Sequence, residues 1–376
     1  MENNAICPEC GKQVRLFERL AEAKCPFCRT TVSVDAAMSA FDAMFPTKGD
    51  TANTPTLPKL TELKYNEYEH SIYGTLTKYK GRGGDIAIPG TVRMIGAAFR
   101  DCDTLTGVLV PDSVTVLFEN AFDGCTALSH VTLPEKLSGL SAYAFRNCRS
   151  LTEITVPKGF ERIALSLFEG CESLSRITLP EGIKEIQSSA FKGCVSLEAI
   201  ELPSSVTTVW NNAFEGSGLK SVTLPGSLRT LESRAFKDCK RLTEIRLPAG
   251  LSSIGRGAFA GCAALVSITL PISLKKISSD VFSGCFSLEQ ITLPEGLTEI
   301  SYDAFKDCKS LKSIVIPASV MRIEGGAFSG CDSLTEITVK APNGWKKHGS
   351  LLPISLSDSA KAATLLKNAE KPFYRK

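Results

Sequence analysis

Histidine is nearly absent from this chain of 376 residues: three occur, His70, His130 and His348. Scattered over an opening segment, a strand and a tail, they leave no array for proton-transfer catalysis, and His130 beside Thr132 reads as a solvated strand residue, not a general base. Long apolar runs are missing too. No stretch approaches the roughly 18 apolar residues of a membrane helix, so no membrane insertion is expected. The opening "MENNAICPEC" has neither the basic region nor the apolar core of an export signal, which predicts a cytoplasmic protein. An excess of charge of either sign is lacking as well. The 43 basic and 40 acidic residues are mixed throughout and leave a formal net charge of +3, which selects no nucleic acid, acidic substrate or anionic membrane as partner. The glycines of "YKGRGGD", residues 79–85, do not follow the order of a phosphate loop. With no nucleophile elbow or carboxylate pair standing out either, the chain is not expected to be an enzyme.

What the chain has in abundance is self-similarity. "AFDGCTALSHVTLP", "AFRNCRSLTEITVP", "AFKGCVSLEAIELP" and "AFKDCKSLKSIVIP" recur with a step of 23 residues, and the repeated Phe falls at 99, 122, 145, 168, 191, 214, 236, 259, 282, 305 and 328. A fixed period of this size means a repeat architecture of about 11 units. Each unit reads I-x-x-x-A-F-x-x-C-x-x-L-x-x-I-x-L-P. In "LEAIELP", Ile200 and Leu202 alternate as in a half-buried strand, and Pro203, having no N–H to donate, ends it. Ile183 and Ile186, three apart, predict a tight helical or irregular return segment. One strand and one return make one coil, too small to bury its apolar edge alone; stacking lays Phe over Phe in a single continuous parallel sheet, with strands about 4.8 Å apart. "AFEGSGLKSVTLP" is one residue short and has Ser217 in place of Cys.

This consensus closely resembles the BspA-like leucine-rich repeats, the 23-residue class, over about residues 70–340. The resemblance implies a right-handed solenoid of the α/β repeat class, a binding role, and, by analogy with surface antigens, the bacterial cell surface as the alternative location.

Fourteen cysteines fall into two groups. Ten share one register: Cys102, Cys125, Cys148, Cys171, Cys194, Cys239, Cys262, Cys285, Cys308 and Cys331. Side chains in register on stacked coils point in parallel, so they cannot converge on a zinc ion, and parallel Cβ vectors do not give the torsion of a disulfide. They read as small buried hydrophobes with a weak donor, and a stack of free thiols points to a reducing compartment. The other four, Cys7, Cys10, Cys25 and Cys28, form a C-x2-C-x14-C-x2-C pattern resembling a zinc ribbon. Four thiolates would close a structural zinc site with no open position for catalysis. Basic residues near it are nearly cancelled by Glu2, Glu9, Glu18 and Glu22, so the module reads as a docking unit, with nucleic-acid binding as the alternative.

The expected organisation is a zinc-ribbon-like module at 1–35, a short helix (35–45) and polar linker within 36–63, the solenoid at 64–340 and a C-terminal cap at 341–376. In the cap, Ser357 or Asp358 starts a helix through about Asn368 that covers the last coil with Ala363 and Leu366. Function is expected on the outward strand positions, for recognition of a protein or glycan. One column is rich in threonine, which strand preference alone accounts for. The least repetitive patch, Arg176, Glu201, Glu244 and Arg246, is the predicted partner-binding site.

Overall fold

The computed structural model describes residues 2–6, 13–17, 22–24, 31–33, 61–64, 67–350 and 354–375. The chain divides into two compact units, Met1–Pro58 and Lys59–Lys376. In the first, Glu2–Ile6 pairs antiparallel with Gln13–Phe17 and Glu22–Lys24 with Thr31–Ser33. The predicted helix at 35–45 and the four cysteines Cys7, Cys10, Cys25 and Cys28 lie outside the described residues.

The second unit is a solenoid of parallel strands. Each coil contributes a strand at its I-x-L segment, such as Glu153–Thr155 or Arg176–Thr178, paired in register with the coil 23 residues on: Glu153 faces Arg176 and Ile154 faces Ile177. The return segment, expected as a tight helical or irregular turn, is not helical. It holds a second, two-residue strand, as at Glu185–Ile186, which pairs in parallel with Arg162–Ile163 on one side and Thr208–Val209 on the other. The coil is therefore a β–β unit, and the one helix among the described residues is Ser359–Lys367 in the cap. Two residues suffice because each short strand buries one apolar side chain, Ile163, Ile186 or Val209, against the core.

A third seam joins the coils at the corner that carries Phe. The Phe122 N–H donates to the Ala144 carbonyl one coil on (2.8 Å), and Phe191 repeats the bond to Ala213 (2.8 Å). These bonds need a backbone that turns twice into the left-handed region. In every coil the residue before the Cys position has positive φ: Asp101, Gly124, Asn147, Gly170, and so on to Gly330. Gly, Asn and Asp dominate there because they enter that region at least cost. Each Asp or Asn is followed one coil on by Gly; a Cβ on Gly124 would meet the Asp101 carboxylate.

The sheet is not continuous. Among the described residues the longer strands run as one four-stranded sheet, from Thr61–Glu62 to His130–Thr132, and then as separate pairs. The two-residue strands form three five-stranded sheets. Coil-to-coil attachment thus shifts among three seams, and no single ladder carries it.

The core is a set of side-chain columns. All eleven repeated Phe are fully buried, with adjacent ring centroids 5.0 to 5.9 Å apart and nearly parallel planes. Tyr79 extends the column at its start, tilted on Phe99 at 5.0 Å. The coil that lacks a residue closes through Gly218, because a Cβ there would strike the Val195 carbonyl.

Candidate recognition face

The longer strands carry an outward row on each side of a buried Ile or Val. In Glu153–Thr155, Ser221–Thr223, Glu244–Arg246, Ser267–Thr269 and Gln290–Thr292 the middle residue is buried and both flanking residues are exposed. Strand alternation produces this directly. Behind the face, Ser and Thr hydroxyls tie the coils together: Ser129 donates to the Thr106 carbonyl (3.0 Å), Ser175 to Thr152 (3.2 Å) and Thr243 to Lys220 (3.1 Å).

A depression of about 320 Å³ opens on this face, lined by Glu135, Glu153, Arg176 and the threonines Thr132, Thr155 and Thr178, among others. Arg176, 79% exposed, reaches Glu153 on the neighbouring coil at 3.3 Å. Arg246 pairs with Glu244 of its own strand at 3.0 Å and is 78% exposed. Glu201 is exposed next to buried Ile200, in a coil whose I-x-L segment is not a paired strand. The four predicted residues thus share the outward side but occupy three coils within a run of four, and they do not form one cluster. A tighter charged group lies at the edge of the same face and was not singled out from the sequence. Glu198 accepts from Lys220 and from Arg241, both at 2.7 Å, and these two cations hold its carboxyl below the usual range. Writing the repeat in columns places these residues side by side, and that was the available signal.

His130 has company but no catalytic arrangement. Its Nδ1 lies 3.1 Å from Ser129 Oγ and its Nε2 3.8 Å from Asp85. The Ser129 hydroxyl donates to the Thr106 carbonyl, so its proton is committed to the backbone, and Asp85 accepts from Thr106.

The ten ladder cysteines are all free. Nine donate through Sγ to the carbonyl of a Phe in the preceding coil, as Cys125 does to Phe99 (3.0 Å) and Cys194 to Phe168 (3.2 Å). Burial pushes up the thiols of Cys125, Cys148, Cys171, Cys194, Cys239, Cys262 and Cys285, those of Cys239 and Cys285 to about 12. Ser217 keeps the column polar where Cys is missing, 3.3 Å from Cys239 Sγ. Protonated sulfurs bonded to carbonyls are poor metal ligands, which act as thiolates. Among the described residues no group of three or more His, Cys, Asp or Glu could hold a metal ion. The expectation of structural zinc as a cofactor is corrected to that extent, and Cys7, Cys10, Cys25 and Cys28 themselves lie outside the described residues. Among the described residues no helix is long and apolar enough to cross a membrane.

The family model for the BspA type leucine rich repeat region matches residues 94–220 and 207–335. No curated protein matches the chain. Among solved structures, a leucine-rich repeat protein from Bacteroides ovatus shares 25% identity over 73% of this chain and 87% of its own, with a TM-score of 0.52. A leucine rich cell surface protein from Faecalibacterium prausnitzii shares 26% identity over 84% of this chain and 99% of its own, with a TM-score of 0.47. The cytoplasmic expectation is corrected accordingly. Thiols this deeply buried need no reducing compartment to remain free, so the cysteine ladder does not argue for the cytoplasm. With its coils matched from Met94 to Thr335, the chain belongs to the BspA type leucine-rich repeat family and is a non-catalytic repeat scaffold.

Proposed function

We propose that the chain is a recognition scaffold that binds a protein or a glycan through the outward side of its longer strands. The observation that carries this reading is the exposed pair of rows flanking each buried Ile or Val, with the depression around Glu153 and Arg176 set into them. The repeat supplies a rigid polar surface at fixed spacing, and the irregular charges Arg176, Glu201, Glu244 and Arg246 supply its selectivity. Charged rim groups steer encounter and select partners more than they add affinity.

The organisation that goes with this reading keeps residues 64–340 as the solenoid and 341–376 as its cap, with 1–35 and 36–63 preceding them. A right-handed coil is the sense favoured wherever one parallel strand crosses over to the next. The location is the cell surface, the alternative that the repeat itself implied.

The test uses the full chain. Glycan arrays and affinity capture from the native organism identify a binder, which is then titrated against the quadruple variant Arg176→Ala, Glu201→Ala, Glu244→Ala, Arg246→Ala and against Trp210→Ala, which lies off the strand rows. Loss of affinity in the quadruple variant alone, with melting temperature unchanged, supports the strand face. Retention of full affinity by the quadruple variant would remove it.

A further inference from the structure

The charge of the chain is unevenly placed. Residues 341–376 hold seven Lys or Arg against two Asp or Glu, a net of +5, whereas the whole chain carries +3, so the preceding 340 residues are at −2. Charge gathered at one end of a near-neutral chain points to an anionic ligand there.

The cap folds part of that charge into one place. Trp345–Lys347 pairs antiparallel with Phe373–Arg375, setting Lys347 opposite Phe373. The His348 N–H donates to the Pro372 carbonyl (2.9 Å). These bonds bring Lys347 and His348 beside Lys371, although some two dozen residues separate them in sequence. Together with Gly349, Ser350, Asn368 and Glu370 they line a depression of about 310 Å³. Other cations of the cap are engaged in packing: Arg375 donates to the Ala341 carbonyl (3.3 Å), and Lys367 to Leu334 (3.3 Å). Lys347 and Lys371 form no ion pair among the described residues.

We infer that this depression binds a phosphate group, either free or on a lipid headgroup. Two ammonium groups and an imidazole line it together, a donor set suited to an oxyanion that accepts several hydrogen bonds. Glu370 opposes the anion and sets an upper limit to affinity, which makes it the most informative position to change.

The experiment uses the full chain at low ionic strength, with inorganic phosphate followed by 31P NMR line broadening, and phosphatidylglycerol vesicles compared with phosphatidylcholine vesicles by co-sedimentation. The double variant Lys347→Ala, Lys371→Ala is expected to weaken binding of whichever probe binds by about tenfold. His348→Gln serves as a second, single-site variant that also weakens it, and Glu370→Gln is expected to tighten it. A control pair on the coils, Lys136→Ala with Lys158→Ala, removes the same charge elsewhere and leaves binding unchanged. Binding of phosphate without vesicles assigns a soluble phosphate, and selective binding of the anionic vesicles assigns a lipid headgroup; both support the site when the cap variants weaken it. Equal weakening by the control pair, unchanged binding in Glu370→Gln, or no binding of either probe overturns it. Arg176→Ala leaves the probes bound, so failure of the strand-face reading and failure of this one are separately visible.

Discussion

Phe191 has a stacked ring on both sides, Phe168 at 5.6 Å and Phe214 at 5.3 Å, and is fully buried. Phe191→Ala should cost roughly 3–5 kcal/mol, since rings held by their own coils cannot collapse into the gap; urea unfolding measures it, and a loss below about 1 kcal/mol would mean that the column repacks. The cysteines make a second prediction at this scale. Unfolded thiols ionise near pH 8.5, whereas Cys239 and Cys285 in the folded chain hold their protons to about 12. A raised folded value means that this contribution to stability is complete below about pH 8.5 and is lost as pH climbs from there toward 12. The melting temperature should therefore fall above pH 9. At pH 8 a disulfide reagent should label Cys102, which is only partly buried, well before the buried cysteines of the solenoid. Equal rates at Cys102 and Cys194 would contradict the burial argument. Inertness of the cysteines was legible from their number and register; their acceptor was not, because a Phe carbonyl 26 residues back enters reach only once coils stack.

Between elements, the residues after the first seven repeated Phe form an alternating column: Arg100, Asp123, Arg146, Glu169, Lys192, Glu215 and Lys237. Arg146 meets Asp123 through two bonds, at 2.9 and 2.6 Å. Lys192 lies 3.6 Å from Glu169 and 3.9 Å from Glu215, and Lys237 is 3.1 Å from Glu215. A slip of one coil would set like charge on like, so the column disfavours misregistered stacking, a hazard when neighbouring units are nearly identical. Asp123 is only 2% exposed. Arg146→Ala leaves that carboxylate with Arg100 alone, 3.8 Å away, and should cost up to about 3 kcal/mol, whereas the double variant Arg146→Ala, Asp123→Ala should recover much of the loss. If the double variant is no better than the single one, the pair is not what stabilises this corner. The alternation is present in the sequence but passes unnoticed unless one column is read by itself.

Across the whole solenoid, both ends of the two-residue ladder are closed by antiparallel strands. At one end Tyr68–His70 pairs with Thr75–Tyr79; at the other, Phe373–Arg375 pairs with Arg322–Ile323. The helix Ser359–Lys367, capped by Asp358 through Ala360 N–H (3.1 Å) and Lys361 N–H (3.0 Å), buries Ala362, Ala363 and Leu366 and packs against Glu336–Val339. Exposed strand edges recruit other chains. Deleting residues 357–376 should therefore turn a dispersed chain into a self-associating one, measured by light scattering after size exclusion; a deletion variant that scatters like the intact chain would show that the cap does not guard these edges.

The number of coils, the Phe column, the inert cysteines and the capping helix were determined by the sequence alone, because each follows from a spacing that repeats or from a local capping residue. The second strand of each coil, the corner seam with its left-handed residues, the broken longer ladder and the meeting of Lys347 with Lys371 were decided by tertiary structure. Two residues have no periodicity to read, and a bond between coils exists only when its acceptor arrives from the next turn of the chain.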